Sequence, residues 1–292
     1  MNIYLHGDGY IAKYLYDKMS LYGLRIIQVS EHISSKADVD TIYNVLYDFK
    51  ADVIINAIGM TDTNACEKDK DRCLFTNVEI PMLLYRKAIE KNALFVQLST
   101  GCIYDDGGKG MSMFEPEDTP NFTDTYYTFS KATAEALLIK KTKEEKVGHL
   151  AIHRIRLPFS EEPHPKNLID KLCTFEDVVD CRNSITCLED YVDFLLAECR
   201  EYIVSDRRKK EQGKYKISHA VNPVPIGNRA IVHLMREKLG DKKVKWKNFI
   251  TPAQLNEKVG SPRANCTLAK GTLSRNTEEA LSKTLDEYVD NI

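Results

Sequence analysis

The sequence predicts an α/β fold, a doubly wound parallel sheet with a smaller second lobe. Two observations carry this. Short apolar segments alternate with amphipathic stretches of ten or more residues as far as Pro158, and a glycine-rich turn joins the first such pair. The 292 residues, 43% hydrophobic and 29% charged, suffice for one large core or a core with a smaller companion. A formal net charge of −2, with acidic and basic residues interspersed, gives no electrostatic pull toward nucleic acid or an anionic membrane.

The elements follow from the periodicity in chain order. "NIYLH" is a strand, Tyr10 to Leu21 has helical spacing, and "LRIIQVS" is the second strand, which together make a βαβ unit. A helix over about Val39 to Phe49 precedes strand "ADVIINAIG", and a long helix over about Asp71 to Lys91 precedes strand "ALFVQLST". A helix over about Tyr126 to Lys141 then leads into the fifth strand, "HLAIHRIRLP". Beyond Pro158 the alternation lapses into the loop "FSEEPHPKN", whose prolines break regular structure. "NLIDKLCTF" is a short helix, "SITCLEDYVDFLLAECREYI" contains a longer one, and "GKYKISHA" is a strand expected to rejoin the sheet. "NRAIVHLMREKLG", "PAQLNEKVG" and "NTEEALSKTLDEYVDNI" are amphipathic helices.

Eight cysteines are scattered with no CxxC pair and no matching histidine spacing, so reduced thiols are expected and no metal site. The chain opens directly on a strand, and no apolar run approaches the roughly 20 residues that span a bilayer. A cytoplasmic protein without membrane or nucleic-acid partners is the expectation. The basic run "DRRKKEQGK" at 206–214 reads as a solvated loop, and the charged region 201–213 has no functional account.

Chemistry concentrates in two places. "HGDGYIA" puts Gly7, Gly9 and Ala12 in a GxGxxA turn between a strand and a helix, where backbone N–H groups and the helix dipole favour a pyrophosphate. After strand two, Glu31 would suit a ribose diol, and Ser30, Ser34, Ser35 or Lys36 a phosphate, so NADPH and NADH both remain open. "YYTFSK" sets Tyr127 and Lys131 four apart on one helix face, where the ammonium favours the ionised phenol and suits it to proton transfer.

With "NAIGMT" at 56–61, "TNV" at 76–78 and "STGCIY" at 99–104 in the same order, the chain resembles the extended short-chain dehydrogenase/reductase superfamily. The resemblance implies a Rossmann domain that binds NADPH, with NADH as the alternative, through Gly7, Gly9, Tyr10, Ile11, Ala57, Gly59, Tyr127 and Lys131. Tyr127 would be the catalytic acid, Lys131 its tuner, and Thr100 a donor to the substrate oxygen. The glycine turn is one residue shorter than the superfamily's GxxGxxG, and Ala12 replaces its last glycine.

Cys102 asks for more than reduction. By residue type alone it could equally fill space at a strand end. In the 4-keto sugar chemistry implied by the resemblance that follows, a ketone at carbon 4 acidifies the hydrogens on carbons 3 and 5, and a thiol suits moving those protons. "STGCIY" is similar to the corresponding strand of enzymes that epimerise a 4-keto sugar nucleotide before reducing it. "EDTPNF", "RIRLP", "NSIT", "NPVPIGNRAI", "KWKNF" and "SPRAN" then follow the order of the 3,5-epimerase/4-reductases that form UDP-rhamnose. In that family a lysine in a segment like "PKNLIDKL" is the second acid/base, which Lys171 matches; His164 is the alternative by analogy with GDP-fucose synthase. Thr61, Thr100, Asn167, Arg263 and Asn265 fall at substrate-contacting segments, Arg263 being a diphosphate contact or a surface arginine. Trp246 is either a nucleobase platform or lobe packing.

The expected organisation is a dinucleotide-binding domain over 1–157, with a strand and helix from about 186–222, and a substrate lobe over 158–185 and 223–292. The expected activity is conversion of an NDP-4-keto-6-deoxy-hexose, UDP-linked by resemblance, to NDP-L-rhamnose, with a nucleotide sugar as small-molecule partner and a homodimer as a possible assembly. A 4-keto reductase without epimerase activity, like dTDP-4-dehydrorhamnose reductase, and a non-catalytic regulatory subunit on the same fold are the alternatives.

Overall fold

The computed structural model describes residues 1–29, 39–107, 113–205 and 213–291, and for 40–43 the backbone alone. Ser30, Glu31, Ser34, Ser35 and Lys36, and 206–212 of the basic run, lie outside the described residues. The central sheet contains strands β1 (Asn2–His6), β2 (Arg25–Val29), β3 (Val53–Asn56), β4 (Leu94–Thr100), β5 (His149–Ile155) and β6 (Lys214–His219), in the order β2-β1-β3-β4-β5-β6. β1 pairs in parallel with β2 and β3, and β3 in parallel with β4. At the far edge, Gly213 N donates to Gly148 O and Ala220 N to Arg154 O, so β6 rejoins the sheet running alongside β5 as expected.

β3, β4 and β5 are buried at every position. Strands covered on both faces need continuous apolar sequence, which "VIIN", "LFVQL" and "LAI" provide. The strand order reverses direction between β1 and β3. In open α/β sheets the carboxyl ends of the strands beside such a reversal are where ligands bind, and the glycine turn follows β1 there.

The connecting helices are α1 (Tyr10–Ser20), α2 (Val39–Asp48), α3 (Thr63–Lys68), α4 (Lys70–Leu74), α5 (Ile80–Lys91) and α6 (Tyr126–Glu145). The single helix expected over 71–91 is instead α4, a π-helical turn at Phe75–Glu79, and α5, with α3 as an additional short helix before them. Pro81, in the first turn of α5, has no N–H to return to the carbonyl four residues back. The ladder widens there, with Ile80 N donating to Phe75 O. α6 begins with a capping box between Thr125 and Thr128 and ends at Lys146 in the left-handed region, φ 49°. Gly148 continues that exit at φ 75°, where a Cβ would stand 2.6 Å from Tyr85 Oη.

Further along lie α7 (Leu168–Thr174), α8 (Leu188–Val204), α9 (Asn228–Leu239), α10 (Pro252–Val259) and α11 (Thr277–Asp290). The chain divides into two compact units: Met1–Ser99, Thr125–His153 and Leu195–Ile217 form one, and Thr100–Asp124, Arg154–Phe194 and Ser218–Ile292 the other. Of the residues assigned from the sequence to the dinucleotide-binding domain, 195–217 sort with the first unit, and 100–124, 154–157, 186–194 and 218–222 with the second. The first unit's core includes Tyr4, Leu46, Ile54, Leu84, Tyr85, Phe95, Leu138 and Ile152. The second is built on Ile169, Leu172, Val232, Met235, Leu281 and Leu285 from the apolar faces of α7, α9 and α11, together with Phe159 and Ile226 from short strands.

The first unit also encloses an ion pair. Glu198 on α8 lies 2.5 Å from His153 Nε2 on β5 and accepts from Lys216 Nζ at 2.8 Å. Burial alone would raise the Glu198 pKa, but the His153 charge and hydrogen bond, with Lys216, outweigh it and bring it down to about 2. A carboxylate depressed in the folded state stabilises above its unfolded value and loses that stabilisation as pH falls toward 2. Glu198→Gln should therefore destabilise the protein by roughly 3 kcal/mol at neutral pH. In urea titrations the gap from wild type should shrink as pH falls from about 4.5 toward 2; a gap that stays constant would remove the ion-pair account.

Candidate active site

In the first unit, Gly7 takes φ 129°, and a Cβ there would lie 3.0 Å from the Ala57 carbonyl carbon. Only glycine allows β1 to turn this closely over the loop after β3, where Ala57 N donates to His6 O. Gly9 caps α1 with no side-chain hydrogen bond and with nothing within 4 Å of a hypothetical Cβ. The amides of the first turn of α1, at Tyr10 and Ile11, are thus not covered by a capping side chain. This suits a dinucleotide's pyrophosphate.

Asn77 ties the neighbouring loop down. It sits in the π turn, accepts from Met60 N at 2.8 Å, and donates to Met60 O at 3.0 Å and to Ser130 Oγ at 2.9 Å. A Cβ on Gly59 would stand 3.4 Å from Asn77 Oδ1 and 3.9 Å from Lys131 Nζ, which places this loop in van der Waals contact range of both side chains. Thr61, two residues on, is exposed.

Tyr127 and Lys131 occupy successive turns of α6, Tyr127 half-buried and Lys131 5% exposed. Lys131 Nζ donates to Leu98 O at 2.8 Å. Burial pushes its pKa down to about 8, against the upward pull of Glu135 and Cys73. Glu135, one turn further along α6, is itself held by Ser99 Oγ. Tyr127 and Lys131 therefore lie one helical turn apart, the lysine desolvated and its pKa brought down to about 8.

In the second unit, Thr100 ends β4 and caps a 3₁₀ turn over Gly101–Ile103, accepting from Cys102 N at 3.0 Å. Its hydroxyl oxygen acts as acceptor there, which leaves the hydroxyl proton for another partner. Cys102 is partly exposed, and its Sγ accepts from Arg156 Nη1 at 3.0 Å. Arg156 also donates to Asn183 Oδ1, from Nη2 at 2.6 Å and Nε at 3.2 Å, and to Ala264 O at 2.6 Å. Arg156 and Asn77 lie in the segments "RIRLP" and "TNV", whose sequence assigns neither residue a role. Arg156 follows a strand that already carries His149, His153 and Arg154, so nothing in the local sequence sets it apart.

Lys171 is exposed on α7. Partial desolvation, ahead of the Lys166 and Arg263 cations, lowers its pKa, while Cys102 pulls it up, so these four groups share one electrostatic neighbourhood. Asn167 is fully buried and caps α7: Oδ1 accepts from Ile169 N, and Nδ2 donates to Ser160 O and Glu162 O. That side chain is spent on the loop rather than open to a ligand. Asn265 is buried in a polar cluster, its Oδ1 accepting from Cys181 Sγ at 3.0 Å and its N donating to Asp105 Oδ1 at 2.8 Å. His164 Nδ1 accepts from Lys166 N at 3.0 Å. Trp246 packs on Phe249 at 4.5 Å with the Arg236 guanidinium 4.4 Å from its ring centre, which is a packing role. Among the described residues one trio, Cys187, Glu189 and Asp190, has metal-like spacing, but Arg275 and Lys283 already occupy its carboxylates.

Comparison with known proteins places these features in a family. Residues 1–194 match the family model described as RmlD substrate binding domain. A bifunctional dTDP-4-dehydrorhamnose 3,5-epimerase/dTDP-4-dehydrorhamnose reductase of Arabidopsis thaliana is 28% identical over 264 residues, covering 87% of this chain and 79% of that protein. A trifunctional UDP-glucose 4,6-dehydratase/UDP-4-keto-6-deoxy-D-glucose 3,5-epimerase/UDP-4-keto-L-rhamnose-reductase of the same plant is 28% identical over 238 residues. That match covers 78% of this chain and 33% of the longer protein. Among solved structures, a UDP-rhamnose synthase from Acanthamoeba polyphaga mimivirus superposes with TM-score 0.81 at 18% identity, covering 98% of this chain and 99% of that one. A dTDP-4-dehydrorhamnose reductase from Bacillus anthracis in complex with NADP gives 0.75 at 14% identity, again covering 98% and 99%. With the family model spanning 194 of the 292 residues, the chain belongs to the RmlD substrate-binding domain family.

Proposed function

We propose that the protein reduces the 4-keto group of a nucleoside-diphosphate 4-keto-6-deoxy sugar with NADPH, or NADH, and that it first epimerises carbons 3 and 5. The product is NDP-L-rhamnose, with UDP-4-keto-6-deoxyglucose as the substrate of choice. Lys131 carries the reductase half of this reading: a buried ammonium held by Leu98 O one helical turn from Tyr127. The named activities of the plant relatives and the NADP-bound structural neighbour support it.

The backbone at Gly7, Gly9, Tyr10 and Ile11 would hold the pyrophosphate, and the loop through Ala57 and Gly59, with Lys131, the nicotinamide half. A reduced nicotinamide bound there supplies the hydride for carbon 4. Tyr127 gives its phenolic proton to the carbon-4 oxygen as that oxygen gains charge, and the Lys131 cation stabilises the phenolate left behind. Thr100, whose hydroxyl oxygen already accepts from Cys102 N, donates its proton to the same carbonyl.

Epimerisation uses the same carbonyl before reduction. A base takes the proton from carbon 3 or 5, the C–H electron pair moves into an enolate with its charge on the carbon-4 oxygen, and an acid returns a proton to the opposite face. Cys102 and Lys171 are the pair proposed for these two transfers, each regaining its starting protonation state by exchange with water. Arg263 is the proposed diphosphate contact and Thr61 a sugar contact, while Asn167 and Asn265 shape the lobe that holds them. In this reading 1–157, with the strand and helix from about 186–222, forms the cofactor domain, and 158–185 with 223–292 the lobe for the sugar nucleotide.

Turnover of UDP-4-keto-6-deoxyglucose with NADPH in heavy water, read by NMR, tests both halves. Deuterium at carbons 3 and 5 of a rhamnose product is the expected result. Reduction without that deuterium would leave a plain 4-keto reductase, and absence of turnover with tight binding to a partner enzyme would favour the regulatory alternative. Tyr127→Phe should lower kcat by about 10²-fold or more. Because the Lys131 cation is present below about 8 and lost above it, kcat for reduction should fall as pH rises through about 8. A profile flat to pH 9.5 would show that the lysine charge is not used.

A further inference from the structure

We infer that Arg156 is the counter-ion of a Cys102 thiolate, a positioning residue that keeps this sulfur in its basic form at neutral pH. The inference rests on the reading of Cys102 as a proton-transfer group, and it names the residue that makes a thiol fit for that work.

The starting observation is a charge without a partner of opposite sign. Arg156 is 2% exposed, and its guanidinium bonds go to Cys102 Sγ, Asn183 Oδ1 and Ala264 O, so that among the described residues no carboxylate touches it. Burying a guanidinium against neutral acceptors alone is costly, and side chains that pay this cost normally find an anion. The backbone bears a cost here as well. Leu157, directly after Arg156, takes φ 40°, a left-handed conformation that a leucine adopts only under strain. On the facing turn, a Cβ on Gly101 would lie 2.7 Å from Leu268 Cδ1 and 3.4 Å from Arg156 Cδ, so glycine there lets the arginine stem pass beneath Cys102.

Three thiols surround the guanidinium, and their hydrogen bonds tell them apart. Cys266 Sγ donates to Gly101 O at 3.2 Å, and Cys181 Sγ donates to Asn265 Oδ1 at 3.0 Å, so both protons are committed. Burial, opposed by Arg156, pushes these two thiols up to about 12 and about 11. Cys102 differs: its sulfur receives the guanidinium N–H, donates in none of the bonds described, and is the one of the three with solvent access. A thiolate there accepts a charge-assisted hydrogen bond and neutralises the buried cation in one contact. The remaining charged groups of the neighbourhood are Lys171, which interacts favourably with Cys102, with Lys166 and Arg263 beside it, and Asp105 and Asp106 on the Cys266 side. Asp105 is occupied by Asn265 N.

The thiolate can be read without any sugar substrate. The intact protein is alkylated with iodoacetamide between pH 5.5 and 9, and Cys102 is followed separately from the other seven cysteines by peptide mass spectrometry. An ordinary thiol, with a pKa of about 8.5, slows roughly 80-fold between pH 8 and pH 6. Wild-type Cys102 should slow less than about tenfold over that interval, and Arg156→Gln should restore the steep dependence. A wild-type fall of the ordinary size overturns the inference whether or not the Arg156 variant folds. So does a folded Arg156→Gln protein with the wild-type profile. Lys171→Met, a change at an exposed site, supplies the second control: it should keep the shallow profile, and a steep one would transfer the counter-ion role to Lys171. A shallow profile with no deuterium entering carbons 3 and 5 would sink the epimerase reading alone. A steep profile with deuterium entering would sink the Arg156 inference alone.

Discussion

The first unit is organised around one buried cation. Lys131 must be desolvated to lie beside Gly59, and a lysine gives up much of its charge preference when buried unless oxygen acceptors replace water. The Leu98 carbonyl on β4 provides a direct acceptor, and Glu135, held by Ser99 on the same strand, provides the opposing charge. These two bonds fix the rotation of α6 about its axis against β4. Once that rotation is fixed, Ser130 meets Asn77, and Asn77 in turn holds the backbone of Met60. The π turn belongs to the same constraint, because it is the element that carries Asn77. A change in the lysine's environment is thus a change in the loop after β3, the segment that packs under the glycine turn.

The second unit handles a buried cation differently. Among the described residues no acid is in hydrogen-bond contact with Arg156, and its planar fork is divided among an amide oxygen, a backbone carbonyl and a sulfur. Lys131 sits close to its titration point, whereas a guanidinium remains charged throughout the accessible pH range. The two devices suit different tasks. A cation near its titration point responds to charge on an adjacent phenol, while a permanent cation sets a constant field on whatever it touches.

Much of this was legible in the residues. The apolar runs of β3, β4 and β5 are long enough for strands and too short for helices, so burial on both faces followed from pattern alone. The Tyr127 and Lys131 pair was readable because i, i+4 spacing on a helix is a geometric statement. The π turn was not, since Phe75 to Lys91 keeps an apolar repeat that averages to a helical period while Pro81 forces one extra residue into the ladder. Arg156 was hidden for another reason: arginine is mostly exposed, and nothing local distinguishes one that ends a strand outward from one that turns beneath a neighbouring loop. Asn167 shows a further limit: a motif position suggests a ligand contact, while the side chain's role as a helix cap is set by a fold that the motif does not describe.

The i, i+2 spacing of Thr100 and Cys102 acquires its meaning from the turn between them. Thr100 is the last residue of β4 and the cap of the 3₁₀ turn, so its hydroxyl oxygen is tied to the Cys102 amide. That single bond does two things. It orients the threonine with its proton left to give, which suits a donor to a carbonyl oxygen, and it holds the cysteine backbone so that the sulfur projects to Arg156. A residue without a hydroxyl at position 100 would lose a donor and loosen the thiol together, and a residue with a Cβ at position 101 would collide with Leu268 and crowd the arginine stem. The threonine, the glycine and the cysteine therefore form one unit of structure, and the chemistry assigned to either side chain depends on the shape of all three.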